Sequence, residues 1–463
     1  MQGVAFRLDD AWIVLLNAKA LWEGDQSFAG LPPLHGSTSL LHTLAVAALR
    51  PVLGGPLALW LLSWLALFVA GLGAMRLVRD LGGGELAAAG LALAAVTTGG
   101  IFDVLLNGLE TGWAIAAVLW ALLLARRDPL GLGTAVLLGA LPFVRPELGL
   151  LSLVLGLYGL RSAWIAGEWW RGLPAGARAL TTALALLALQ VLLSGEPLPS
   201  TGGAKAAFFS QPGLSPTAWI PVFFYDVGYF LGAVGVVGVA ALLPIDPVTR
   251  IGVAFSVLLL IAFGVLYPTI AGQNFGRYFY PILGAGIFAL GLLLGHPSRR
   301  GRTIGATLLL VVLATNLWTM VRDAPESVAL AAGKRDGMAA VSAWLETHLP
   351  PGQPLMLHDI GYVAWATERP LIDVVGLKTP AAREAHRRHA GLGTAGQLSA
   401  VLDSLAWAEG GCFVMISNGF DRRGLMRGAL PSKGWSLTLV EADGGPPGYR
   451  VWALTDPDGR RCD

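Results

Sequence analysis

GPLALWLLSWLALFVAGLGAMRLV, residues 55–78, holds one charged side chain, Arg76, in 24 positions. As a helix this stretch rises ~36 Å, enough to cross the ~30 Å hydrocarbon core of a bilayer. Comparable runs recur near 86–103, 111–126, 129–145, 147–164, 178–195, 227–244, 251–270, 278–295 and 303–321. About ten spans are therefore expected. The rest of the chain agrees: 54% of residues are hydrophobic, 13% are charged, and the mean hydropathy is +0.62. Such a composition excludes a soluble globular protein and places most of the chain in a lipid bilayer. Nothing in it points to nucleic acid.

Charge then divides the chain. Residues 324–463 carry 29 of the 62 charged side chains, about twice the density of residues 1–323. The expected architecture is mainly α: a polytopic transmembrane helix bundle over 1–323, with 1–54 as its first outer loop, and a soluble α/β domain over 324–463. In the tail, Met338, Val341, Trp344 and Leu345 fall at helical spacing within 335–348, and Pro350-Pro351-Gly352 ends that helix. Apolar runs at Pro354–Leu357, Leu371–Val375, Cys412–Ile416, Ser436–Val440 and Tyr449–Leu454 suggest a buried sheet, with 396–408 as a covering helix.

Orientation follows from the loops. One set carries Arg76 and Arg79, Arg126 and Arg127, Arg161, Arg171 and Arg178, Arg250, and Arg299, Arg300 and Arg302. The positive-inside rule makes this set cytoplasmic in a multi-pass plasma (inner) membrane protein. The first loop, the turns at 107–111 and 145–147, the loops 196–226 and 271–277, and the C-terminal domain then lie outside the cytoplasm. No span precedes Asp9 to carry it across, so a start upstream with a further helix is expected. An extracytoplasmic tail permits a Cys412–Cys462 disulfide. The sequence favours unpaired thiols, because Cys462 sits at the chain end and Cys412 in an apolar run.

The outward face collects ionisable groups that are costly near a bilayer and so mark a pocket or a set of ion pairs. Asp9 and Asp10 precede residues 12–22, an expected interfacial helix. They suit a helix cap or a general base. Glu110, Arg145 and Glu147 sit in tight turns with no room to reach bulk water. Lys205 follows Pro197-Leu198-Pro199-Ser200-Thr201, and Arg277-Tyr278 opens a late span. Three cations and several carboxylates on one face fit a site for an anionic lipid-linked substrate. They fit structural ion pairs as well, and spacing alone leaves the two readings level. His386 and His389, in a basic helical stretch, read as solvated surface. His358-Asp359 closes an expected strand and reads as structural.

The same residues resemble a family pattern. Asp9-Asp10-Ala11-Trp12-Ile13, Ala20-Leu21, Gly24 and Gly36-Ser37-Thr38-Ser39-Leu40-Leu41 look like the first outer loop of C-superfold glycosyltransferases that use polyprenyl-phosphate sugars, notably cell-wall arabinofuranosyltransferases of the mycobacterial type. Gly108-Leu109-Glu110-Thr111, Arg145-Pro146-Glu147, Leu198-Pro199-Ser200-Thr201 with Ala204-Lys205, and Arg277-Tyr278 continue the match in order. Ile372-Asp373-Val374-Val375-Gly376-Leu377 extends it into the tail. Ser37 and Ser39-Leu40 depart from the family's Tyr and Pro, and Gly202-Gly203 from a bulkier pair.

The resemblance implies inverting transfer of a sugar from a polyprenyl-phosphate donor to a cell-envelope glycan or lipid acceptor. It implies Asp10 or Asp9 as the proton acceptor. Arg145, Lys205 and Arg277 would hold phosphate, and Glu110, Glu147 and Tyr278 would complete substrate binding. No metal-ligand spacing is present, and a divalent cation stays open. A flippase for a lipid-linked substrate and a non-catalytic membrane scaffold are the rival expectations.

Overall fold

The computed structural model describes residues 4–97, 101–208, 246–266, 276–390, 393–418, 434–440, 445–456 and 458–459. Its N-terminal two-thirds is helical. After Asp10–Glu23 (α1) come Leu40–Leu53 (α2), Gly55–Asp80 (α3), Glu85–Val96 (α4), Thr111–Arg127 (α5), Leu132–Val144 (α6), Gly149–Ile165 (α7), Trp169–Ser194 (α8) and Ser200–Phe208 (α9). Pro247–Leu266 (α10), Pro281–Leu294 (α11) and Arg299–His348 (α12) follow.

Five described helices are long and apolar enough to cross a membrane. The span expected at 227–244 lies outside the described residues. The one expected at 86–103 is α4, followed by a π-helical turn at Ile101–Leu105. Leu173, Leu180, Leu184 and Leu192 stand exposed along α8, as a lipid-facing helix requires. Arg127 pairs with Asp80, and Arg126 lies 3.5 Å from Asp246, so three cytoplasmic-set segments meet at one end of the bundle.

The charge step near Asp323 does not break the helix. The span expected at 303–321 and the helix expected at 335–348 are one rod, α12, of 50 residues. At 1.5 Å per residue it is ~75 Å long, more than twice the hydrocarbon thickness. Ser298 caps it by accepting the Gly301 N–H. The Ala-rich stretch after Pro325 has high helix propensity and no stop signal, so Pro325 removes one hydrogen bond without ending the helix. Its upper end buries Met338, Val341, Trp344 and Leu345 against a sheet.

That sheet has Leu355–Leu357 (β1), Leu371–Asp373 (β2), Phe413–Ser417 (β3), Ser436–Leu439 (β4) and Tyr449–Thr455 (β5) in the order β2-β1-β3-β5-β4. β1 runs parallel to β2 and β3, while β5 is antiparallel to β3 and β4. The strands lie within two residues of the expected runs. Alternation sorts the side chains: Leu355 and Leu357 face α12, and Met356 faces the helices Pro380–Arg388 (α14) and Gly393–Ala408 (α15). The short helix Gly361–Ala366 (α13) links β1 to β2. Cys412 carries a disulfide, against the expectation of free thiols, and Cys462 lies outside the described residues.

The N-terminal helix departs most from expectation. An interfacial helix keeps one face in water, but α1 is apolar on both sides and buried on both. Ala11, Trp12, Leu15 and Ala18 pack on α2 and α3 of the bundle. Ile13 and Leu16 enter the core beneath the sheet, beside Leu345 and Val363. α1 is thus the wedge between membrane bundle and C-terminal domain. The first loop meets that domain again at Gly36, which has φ +77°, and a Cβ there would lie 2.7 Å from the Leu377 carbonyl oxygen. Gly36→Ala is expected to lose about 1–3 kcal/mol, read as a lower melting temperature in detergent.

Candidate active site

Backbone placement comes first. The Asn107 side-chain oxygen accepts the Arg7 and Leu8 N–H groups at 2.9 and 3.2 Å, and Arg7 pairs with Asp103. The turn 107–110 thereby fixes the chain entering α1. Gly108 makes that turn possible. Its φ is +75°, and a Cβ there would lie 2.6 Å from Leu59. His42 on α2 bonds the Gly108 oxygen at 3.1 Å.

Asp9 and Asp10 are adjacent, so at the start of a helix they point ~100° apart. Asp10 faces Lys205 and Arg277. Its carboxylate accepts Lys205 Nζ at 2.9 Å and also bonds Arg277 Nη2. Burial pushes the Asp10 carboxyl up, but Lys205 and Arg277 outweigh it and hold the group well below the usual carboxylate range. Asp9 faces the C-terminal domain. It accepts the Gly361 and Tyr362 N–H groups at 2.6 and 2.9 Å, and makes no cap bond to its own helix. Burial first, then the nearby Asp359, raises the Asp9 carboxyl to about 7.

Arg145 sits between two carboxylates, with Nε 2.7 Å from Glu147 and 3.6 Å from Glu110. Only 1% of this arginine is exposed. The 2.7 Å approach lacks hydrogen-bond alignment, and Arg145 Nε has no acceptor among the described residues. Arg277 Nε and Nη1 are also buried without an acceptor there. Both guanidinium groups flank the Tyr278 ring, 5.6 and 5.3 Å from its centroid. Arg145 Nη1 donates to the Arg277 carbonyl at 3.3 Å, which ties the two turns together.

These groups line a cavity of about 690 Å³. Glu110, Arg145, Glu147, Lys205, Arg277 and Tyr278 all reach it. Leu150, Leu259, Phe263 and Leu266 form an apolar wall from the bundle. Asp10 lines a small adjoining cleft that shares Thr38, Glu110, Thr201, Lys205 and Arg277 with the cavity. Of the eight residues expected in a site, seven converge here and Asp9 does not. Among the described residues no group of three His, Cys, Asp or Glu side chains is placed to hold a metal.

Sequence reasoning missed the contribution of α14. Arg383 and Arg387 close one side of the cavity, and Arg383 forks onto Glu196 at 3.2 and 2.6 Å. His386 is not solvated surface. It is buried, with Nε2 2.7 Å from the Val374 oxygen and Nδ1 2.9 Å from Gln397. The basic run 387–388 masked a helix with one apolar face. His358 stays structural, beside Ser417 at 3.3 Å and Asp359 at 3.7 Å.

Solved structures share this arrangement of helices and domain. ArnT from Cupriavidus metallidurans, bound to undecaprenyl phosphate, aligns over 98% of this chain and 94% of its own, with TM-score 0.56 and 15% identity. The chain has the fold of ArnT. The apo state of ArnT gives 0.55 at 14% identity over the same shares. The mycobacterial arabinofuranosyltransferase AftD aligns over 96% of this chain and 39% of its own, with TM-score 0.42 and 18% identity. A domain of unknown function, DUF8728, matches residues 327–456, the upper half of α12 and the sheet. No curated protein matches the sequence.

Proposed function

We propose that this chain is an integral-membrane inverting glycosyltransferase. It moves a sugar from a polyprenyl-phosphate donor to a cell-envelope glycan or lipid on the outer face of the plasma membrane. The observation that carries this reading is the pair of buried guanidinium groups beside a carboxylate in a cavity with an apolar wall, with Arg277 Nε and Nη1 lacking an acceptor among the described residues. Buried unpaired donors are costly, and a phosphate supplies the acceptors they lack.

In the proposed reaction the lipid lies along Leu259, Phe263 and Leu266. Its phosphate rests on Arg145, Arg277 and Lys205. The acceptor hydroxyl oxygen attacks the anomeric carbon from the face opposite the phosphate. The bond from that carbon to the phosphate oxygen breaks, and polyprenyl phosphate leaves with the bonding pair. The cations stabilise the charge that develops on it. Asp10 takes the hydroxyl proton. Before the donor arrives Asp10 is a weak base, because two cations hold it ionised. As Lys205 and Arg277 turn to the phosphate, that hold relaxes and Asp10 gains basicity.

The test uses the full chain in membranes, radiolabelled polyprenyl-phosphate sugars and cell-envelope acceptors, with and without EDTA. A new glycosidic product that disappears in Asp10→Asn is the expected result. Movement of the lipid-linked sugar across the bilayer with no new glycosidic bond would make the chain a flippase.

A further inference from the structure

We infer that the C-terminal domain is the positioning element of the transfer site, holding both partners of the Lys205–Asp10 ion pair from two separate grips. The inference rests on the reading of Asp10 as proton acceptor. It gives a role to the segment that matches a domain of unknown function.

The first grip is on Asp9. The first two N–H groups of α13 close on its carboxylate. At Gly361 only a hydrogen fits: a Cβ there would collide with the Asp9 carbonyl oxygen and lie 2.8 Å from its carboxylate. Trp12, one turn along the same chain, packs edge-on against Tyr362 at 4.6 Å. Asp359 is fixed in turn by the Tyr449 hydroxyl at 2.6 Å and by Lys334 at 3.4 Å, a residue of the α12 rod. The second grip is on the segment that carries Lys205. Arg383 holds Glu196 before α9, and Gln397 Nε2 donates to the Ala207 carbonyl at 2.8 Å near its end.

Lys205 and Asp10 are 195 residues apart, and no backbone hydrogen bond joins α9 to α1 among the described residues. The C-terminal domain touches both segments, in addition to the bundle contacts of α1 and the Thr38–Thr201 hydrogen bond of 3.1 Å between the first loop and α9. A proton acceptor displaced by ~1 Å loses up to ~100-fold in rate. Asp9 lines neither the cavity nor its adjoining cleft, so it acts through Asp10 as a positioning residue.

The experiment measures kcat and donor KM for the purified full chain in nanodiscs, with Asp9→Ala, Asp9→Asn, Gly361→Ala and the double variant Asp9→Ala/Gly361→Ala. Asp9→Ala is expected to lower kcat by about 10- to 100-fold while donor KM stays within about 2-fold. Asp9→Asn keeps an acceptor oxygen for α13 and restores most of the rate. The double variant is no slower than the worse single one, because both changes break one contact.

A normal kcat in Asp9→Ala, or strictly additive losses in the double variant, overturns the inference. So does an Asp9→Asn variant as slow as Asp10→Asn, which would make Asp9 the proton acceptor. Amide hydrogen exchange gives a readout free of turnover. Asp9→Ala should speed exchange at residues 9–12, and Arg383→Met at residues 200–208, whether or not sugar is transferred. Unchanged exchange in both overturns the inference, whereas loosened exchange in a chain that transfers nothing defeats only the transferase reading.

Discussion

Asp10→Asn is expected to transfer sugar ~10²- to 10⁴-fold more slowly than the wild type, the range for loss of a positioned general base. Asn keeps the size and one acceptor oxygen for Lys205 and Arg277, so the cavity keeps its shape. Donor KM should change little, because the phosphate cradle of Arg145, Arg277 and Lys205 remains. A variant with full transfer removes Asp10 from the chemistry. The wild-type pH profile carries a sign that follows from the site. Lys205 and Arg277 hold the free enzyme's Asp10 ionised below its ordinary range. The acid limb of kcat/KM from this group therefore lies below pH about 4, where an unperturbed aspartate would show it. An acid limb near neutrality assigns the base to another group.

Arg145→Met is expected to be the most damaging substitution to stability and donor binding together. It leaves Glu110 and Glu147 facing each other across a buried gap with no cation between them. Removing one partner of a buried ion pair costs about 3–5 kcal/mol. The same change takes away a guanidinium that offers parallel donors to phosphate, so donor KM should rise by at least about 100-fold in protein rescued by low temperature. Arg145→Lys restores the charge and most of the melting temperature, but not the fork, and should recover only part of the donor affinity. An Arg145→Met protein with wild-type melting and wild-type donor KM refutes both roles.

These two residues illustrate how much of the site local sequence could carry. Arg145 and Glu147 flank Pro146 in the short turn between apolar helices, and a charged pair with no path to water announces itself by hydropathy alone. Asp9 and Asp10 are indistinguishable by that logic. Both are acidic, both open α1, and both fall on the side that the loop charges assign to the outside. Helical geometry turns their side chains ~100° apart, and only the packing of α1 decides which faces the cavity. Arg383 was hidden for another reason: a basic stretch in a charged domain reads as solvated surface until the fold folds it over Glu196, 187 residues away.

By itself the sequence determined the apolar helical segments, the membrane as solvent and the strand runs. These are set by hydropathy and charge within windows of ~20 residues. The tertiary structure alone decided that α12 runs unbroken from membrane to sheet, and that α1 is buried between bundle and C-terminal domain. It alone brought Lys205 and Arg277, 195 and 267 residues from Asp10, onto one carboxylate. Ion pairs at such separations follow from helix packing and have no local signal, because each partner looks like an ordinary loop charge until its neighbours exclude water.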